Sequence, residues 1–326
     1  MKYPVFMKKG DVIGICAPSA GVGRKIPDFE RSLDVLKAQG FTILESPSVR
    51  VNDVRSAGAK TRAKELHSLF QKKDVNMVMS AAGGDFLFEI LPYIDWNLLK
   101  KNPKWLMGAS DPTSLLFIYT TKYDVATLYG MNAGSYDVVP LHTCFKNNLK
   151  ILKGNLIPQT SFSYINSTAP FSDDPLQFDL KNTWHSTHAT LHVTGRCIGG
   201  CMDVLKDLIG TKYDHVSSFL KKYQKDGFIW YFDNFALSAE VFYNTLLQMS
   251  YAGWFKNTKA IIIGRTLFPS ENSITYEEAI KNALKNIPVL SNADIGHTLP
   301  HMTMINGSLL DLSYTRKKTT LNFLLK

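Results

Sequence analysis

Short apolar runs that end in glycine, proline or serine alternate with longer stretches whose apolar residues recur at helical spacing. That alternation constrains the fold more than any other feature of the chain. Residues 11–19, DVIGICAPS, read as a buried strand running into a loop. Residues 27–40, PDFERSLDVLKAQG, read as an amphipathic helix stopped by Gly40, and 41–46, FTILES, as the next strand. The rhythm continues with a helix over 60–72, a strand at 75–82, a glycine turn at Gly83 and Gly84, and a short helix to Leu91. A strand in KWLMGAS and a helix in PTSLLFIYTTKY follow. Strands that alternate with helices at this spacing imply a mostly parallel sheet covered on both faces. Such sheets bind ligands at the carboxyl ends of their strands, which is where Gly83, Gly84 and Ser110 fall.

From about Asn147 to Thr190 the pattern gives way to a stretch rich in Ser, Thr, Asn, Asp and Pro, read as a crossover with short edge strands. Beyond it TLHVTGRCIGG reads as a strand and turn, CMDVLKDLIGT as a helix and GFIWYFDN as an aromatic strand. SAEVFYNTLLQMSYAG reads as a helix with Gly253 near its end, and KAIIIGRT as a strand. At 326 residues the chain is longer than the roughly 250–300 residues that one core usually sustains. The expected fold class is therefore α/β in two domains. A mostly parallel N-terminal α/β sheet domain covers 1–150, the crossover 151–190 and a C-terminal α/β domain 191–326.

Composition narrows the function classes. Hydrophobic residues make up 45% and charged residues 20%, which suits a packed core rather than a disordered chain. The formal charge is +9, but the basic residues are scattered; the densest groups are Lys221, Lys222 and Lys225, and Arg316, Lys317 and Lys318. No basic stripe is interleaved with stacking aromatics, so no nucleic-acid partner is expected and the surplus suits solubility or anionic small ligands. Cys16, Cys144, Cys197 and Cys201 form no CxxC pair and no zinc spacing with the histidines. Reduced, buried thiols are expected, with no metal and no cofactor. Lys8, Lys9 and Asp11 interrupt any signal-peptide run at the start, and nothing approaches the roughly 20 apolar residues that cross a bilayer. The expectation is a cytoplasmic protein with no membrane partner.

The chemistry begins at WLMGASDPTSLL. Gly108-Ala109-Ser110-Asp111 occupies a strand-to-helix turn, the setting of a nucleophile elbow, in which the hydroxyl stands clear of the sheet. The backbone NH of Asp111 then lies at a helix N-terminus, where partial positive charge favours an oxyanion. Pro112 stands where the lipase-type motif has its second glycine, and a serine before Asp-Pro also serves as an ordinary helix cap. A nucleophilic serine needs a base. His67 and His215 lie in or beside predicted helices, and His142, His185, His188 and His192 in or near the crossover, all suited to surface or packing roles. His297 and His301 share the polar loop SNADIGHTLPHMTMINGS between apolar strands, and spacing alone does not choose between them. The acid that would orient the imidazole falls at Asp233, at the end of the aromatic strand, although an acid there can equally cap the chain.

GDVIGICAPS, AAGGDFLFEILPYIDW, NPKWLMGASDPTSLL, LYGMNAGS, GRCIGGCMDVLKDLIGT and ADIGHTLPHMTMINGS together resemble, in order and spacing, the LD-carboxypeptidase family of serine peptidases. The resemblance runs from about residue 8 to 312, and its IDW and NPKWLMG wording is closer to the microcin-immunity branch than to the murein-recycling enzymes. It implies Ser110 as nucleophile, His297 as base and Asp233 as orienting acid. It also implies the backbone NH groups of Gly84 and Asp111 as oxyanion hole. A smaller C-terminal domain, an active site in the cleft between domains, and pairing as a homodimer are implied as well. The substrate implied is a small peptide, a muropeptide whose scissile bond precedes a terminal D-amino acid. Detoxification of a peptide-nucleotide antibiotic and muropeptide binding without turnover are the alternatives. A metal peptidase is disfavoured because no HExxH is present.

The chain departs from the family at three points. Asp233 stands where glutamate is usual, with Glu240 as the fallback acid. Gly199-Gly200-Cys201 replaces Gly-Gly-Asn, and Ile295-Gly296-His297 replaces Phe-Gly-His. Cys201 has no predicted base to make it a nucleophile. Arg196 and Lys104 are candidates to hold a terminal carboxylate.

Overall fold

The computed structural model describes residues 1–166 and 177–326, so the part of the crossover at 167–176 lies outside the described residues. The chain divides into two compact units, Met1–Ile157 and Pro158–Lys326. In the first, β1 (Val12–Cys16), α1 (Ile26–Ala38), β2 (Thr42–Glu45), α2 (Ala59–Gln71) and β3 (Val75–Ser80) are followed by α3 (Trp96–Lys101) and β4 (Trp105–Gly108). Then come α4 (Thr113–Tyr123), β5 (Thr127–Tyr129) and α5 (Thr143–Leu152). The strands lie in the order β5-β4-β3-β1-β2, every neighbour parallel. β4 is buried along its whole length and β3 along nearly all of it, the near-continuous apolar run of a strand covered on both faces. The helix after β4 is buried all round: every residue from Thr113 to Thr121 is buried.

The second unit opens with β6 (Gln159–Thr160), β7 (Tyr164–Asn166), β8 (Phe178–Lys181) and β9 (His185–Ser186), then β10 (Thr190–Cys201), α6 (Met202–Leu205) and α7 (Val216–Lys222). It continues with β11 (Phe228–Asp233), α8 (Ala239–Tyr251), β12 (Thr258–Gly264), α9 (Tyr276–Ala283) and β13 (Val289–Ala293). β14 (Met304–Asn306), β15 (Leu309–Thr315) and β16 (Lys318–Leu324) end the chain. Eight strands form one sheet in the order β6-β16-β15-β10-β11-β12-β13-β9. Its centre, β10 to β13, is parallel, and antiparallel strands flank it on both sides. The edge strands β6 and β9 come from the crossover, so the second unit is the longer stretch of chain. β10 changes character along its length: its first five residues are open to solvent in varying degree, and the last seven, beside β11, are buried. Trp230 of β11 stacks on Trp254 with ring centres 5.5 Å apart. Burying a side chain of this size contributes about 2–3 kcal/mol.

The α/β class and the parallel sheet agree with expectation; two helices differ from their patterns. The run after Cys201 gives only α6 and a single 3-10 turn at Lys206–Leu208, because Ile209 is extended and Gly210 turns left-handed at φ 76°. The short helix to Leu91 is a 3-10 helix, Leu87–Tyr93, with Pro92 inside it. Among the described residues no helix is long and apolar enough to cross a membrane.

Candidate active site

The carboxyl ends of β3 and β4 carry one half of the predicted chemistry. The chain between Gly108 and Thr113 must reverse sharply, and Ser110 takes up the reversal at φ 67°, a left-handed conformation that non-glycine residues seldom adopt. A residue held there stores on the order of 1–3 kcal/mol and stays only where its surroundings fix it. Here Ala109 is clamped by the Asn132 side chain, whose Oδ1 accepts from Ala109 N at 3.0 Å while Nδ2 donates to Ala109 O at 3.3 Å. Ser110 N donates to the Tyr129 hydroxyl at 3.3 Å, and Thr113 N closes the turn on Ser110 O at 2.9 Å. Gly83 leaves room over the serine, because a Cβ there would sit 3.2 Å from Oγ.

The side chain of Asp111 faces inward, a role that spacing did not suggest. It is 5% exposed, and its Oδ2 accepts from Leu87 N at 2.8 Å and from the Ser19 hydroxyl. Burial pushes its carboxyl up to about 6 against the lowering effect of those two hydrogen bonds. The same carboxylate thus ties the elbow to the loop after β1 and to the loop that contains Gly84. Gly84 itself has φ 141°, and a Cβ there would strike Ser19 Oγ at 2.3 Å, so glycine alone fits. Arg62, buried on α2, donates to Pro18 O and Phe86 O at 2.8 and 3.0 Å and steadies both loops.

The other half stands at the carboxyl ends of β10 and β11 and in the loop after β13. Asp233, the last residue of β11, has no exposed surface, and its Oδ2 lies 2.7 Å from His297 Nδ1. Gly296 makes the approach feasible: at φ 104° it lays the backbone over the carboxylate, and a Cβ there would come within 1.9 Å of Oδ1. Phe235 supports the imidazole with ring centres 4.5 Å apart. Burial works against a charge on His297, but the Asp233 carboxylate outweighs it and raises the pKa above the ordinary histidine value. His301, the other candidate in this loop, is buried, and burial pushes it down to about 4, so it stays neutral near pH 7. Cys201 ends β10 directly opposite Asp233, and its Sγ, the carboxylate and the imidazole all lie within 4.8 Å of one another.

A buried ion pair shapes the histidine loop. Arg265 pairs with Asp294 and also donates to Thr298 Oγ1 at 2.9 Å and Pro300 O at 2.8 Å, fixing the chain on both sides of His297. Asp294 further accepts from Phe162 N, Asn182 Nδ2 and Trp184 Nε1, at 2.9, 3.0 and 2.8 Å. The remaining candidates are engaged elsewhere. Glu240 accepts from Asn272 N and Ser273 N, which helps push it down to about 2. Arg196 is bound to Asp226 and to the carbonyls of Gly307 and Lys326. Lys104 Nζ donates to the carbonyls of Lys72 and Val75. Neither cation is available for a substrate carboxylate. His67, His142 and His192 bind Asp95 N, Cys144 N and Asp311 respectively.

A two-unit α/β protein with an elbow serine in one unit and a buried acid-histidine pair in the other has the parts of a serine hydrolase. Residues 13–130 match the LD-carboxypeptidase N-terminal domain and residues 194–312 the LD-carboxypeptidase C-terminal domain. The chain belongs to the LD-carboxypeptidase family, which has MccF-like members. It is 27% identical to a putative carboxypeptidase of Treponema pallidum, over 97% of this chain and 94% of that protein. It is 26% identical to the microcin C7 self-immunity protein MccF of Escherichia coli, over 96% and 93%. Among solved structures, the MccF-like protein from Bacillus anthracis superposes with a TM-score of 0.82 at 26% identity, covering 100% of both chains. The muramoyltetrapeptide carboxypeptidase from Oxalobacter formigenes shares the fold, with a TM-score of 0.75 at 18% identity over 96% and 98% of the two chains.

Proposed function

We propose that this protein is a serine LD-carboxypeptidase that removes the terminal D-amino acid from murein-type tetrapeptides. The observation that carries the reading is the pair Asp233 and His297, at 2.7 Å with the carboxylate fully buried. A buried carboxylate on Nδ1 fixes the tautomer that leaves Nε2 free to act as base. In this reading Ser110 Oγ attacks the scissile carbonyl as His297 takes its proton. The backbone NH groups of Gly84 and Asp111 hold the oxyanion, and the imidazolium returns the proton to the leaving amine. Water then releases the acyl group by the same route in reverse order. The chemistry requires the serine of the first unit to meet the imidazole of the second. Left-handed backbone at Ser110 supports its part, since strained residues concentrate at functional sites. The shorter acid reaches the imidazole at hydrogen-bond distance, which favours turnover over binding alone.

A second reading, cleavage of a peptide-nucleotide antibiotic conjugate, is favoured by the MccF relatives, one solved in complex with aspartyl sulfamoyl adenosine. The deciding experiment is release of D-alanine from a muramoyl tetrapeptide by the purified protein, beside an aminoacyl-sulfamoyl nucleotide. Tetrapeptide cleavage lost by at least 10³-fold in Ser110→Ala and His297→Ala, and reduced in Asp233→Asn, is the expected result. Cleavage of the conjugate alone favours the second reading. Binding of the tetrapeptide with no cleavage of either compound leaves a muropeptide-binding protein.

A further inference from the structure

We propose that the second unit holds a binding site for a zinc-type divalent cation, made by Cys201 Sγ, the Asp233 carboxylate and the His297 imidazole. Thiolate, imidazole and carboxylate are the three donors that zinc takes in proteins. They come here from three separate elements: the ends of two neighbouring parallel strands, where Cys201 and Asp233 are in register, and the loop after β13. All three donor atoms lie within 4.8 Å of one another. With bonds of about 2.0–2.3 Å, donors around one zinc ion stand roughly 3–4 Å apart, so Asp233 Oδ2 and His297 Nδ1, now at 2.7 Å, must part while the widest separation, within 4.8 Å, closes by up to about 1 Å. Cys201 and Asp233 stand in register on paired strands, and the His297 side chain, 18% exposed, is the point of entry. Three protein donors leave a fourth tetrahedral position for a water molecule. Among the described residues no other group of three such side chains converges in this way. Cys201 stands where the family pattern that the sequence resembles has asparagine, a harder donor.

Binding is a ligand exchange without redox change. The thiol gives its proton to solvent, the imidazole binds through an unprotonated nitrogen, and the carboxylate turns from the imidazole to the metal. A cation so held occupies the base and the acid of the proposed hydrolysis, so zinc would arrest turnover. That consequence rests on the proposed reading; the binding itself does not.

The test is a Co²⁺ titration of the chelator-treated full-length protein, followed by the thiolate-to-cobalt charge-transfer band in the near ultraviolet and by displacement with Zn²⁺. The expected result is a band that saturates, is lost in Cys201→Ser, weakens at least tenfold in His297→Ala and is unchanged in Ser110→Ala. Circular dichroism checks that each variant folds, and His297→Ala decides the matter should Cys201→Ser fail to fold. No band in the parent protein, a band that survives Cys201→Ser, or one indifferent to His297→Ala overturns the proposal. Tetrapeptide turnover measured with Zn²⁺ in the parent and in Cys201→Asn is a separate arm. An enzyme inactive on the peptide would sink the LD-carboxypeptidase reading and leave the cobalt result standing.

Discussion

The turn that carries Ser110 and the loop that carries His297 are both pinned by a buried carboxylate other than Asp233, and they are pinned by different means. Asp111 receives neutral donors, a hydroxyl and a backbone NH. Asp294 faces a guanidinium as well as neutral donors. Burial raises both carboxyls; the charge of Arg62 opposes this at Asp111 only through space, whereas Arg265 is hydrogen-bonded to Asp294. An isolated carboxylate among neutral donors can lose its charge and keep much of its network. A carboxylate that balances a buried arginine cannot be removed without stranding the partner.

The largest effect should follow from breaking that balance. Asp294→Ala strands Arg265 and should destabilise the second unit by about 3–5 kcal/mol, whereas Asp111→Asn should cost the first about 1–3 kcal/mol. Denaturant unfolding of the two variants checks this, and equal losses would erase the distinction. Next comes Asn132→Ala, which frees both backbone groups of Ala109 and should cost about 1–3 kcal/mol. If the clamp serves the strained serine, kcat falls while KM holds; a loss in KM alone would assign Asn132 to substrate contact. The smallest effect is a displacement on the pH axis. Asp233 raises the pKa of His297, and the base must be neutral to act, so the acid limb of kcat/KM should lie above the ordinary histidine value of about 6.5. A limb at or below that value would mean that the pair does not govern the rate.

The serine turn was far more legible in the sequence than the histidine loop, and the reason is the range of the contacts. A buried strand, a small-residue turn and a helix within WLMGASDPTSLL are local signals, and β4, the turn and α4 follow from them. Choosing His297 over His301 needs Gly296 over Asp233, a contact between elements far apart in the chain. The ion pair behind it joins Arg265 to a residue 29 positions on, and Asp294 in turn reaches back 132 positions to Phe162. No periodicity encodes such pairings. An arginine after a strand and an aspartate before Gly-His were visible as residues, but nothing in their spacing paired them. Arg196 and Lys104 misled for the opposite reason: each looks like a free surface cation until the carbonyls it serves are seen.

The helix that follows Ser110 has buried residues on every side from Thr113 to Thr121. A helix with one wet face can tilt or slide by shearing that face through water. This one has no such face, so displacing the serine would mean opening the core of the first unit. It therefore behaves as a fixed mount for Ser110, and movement beside the serine must be sought in the loops around Ser19 and Gly84.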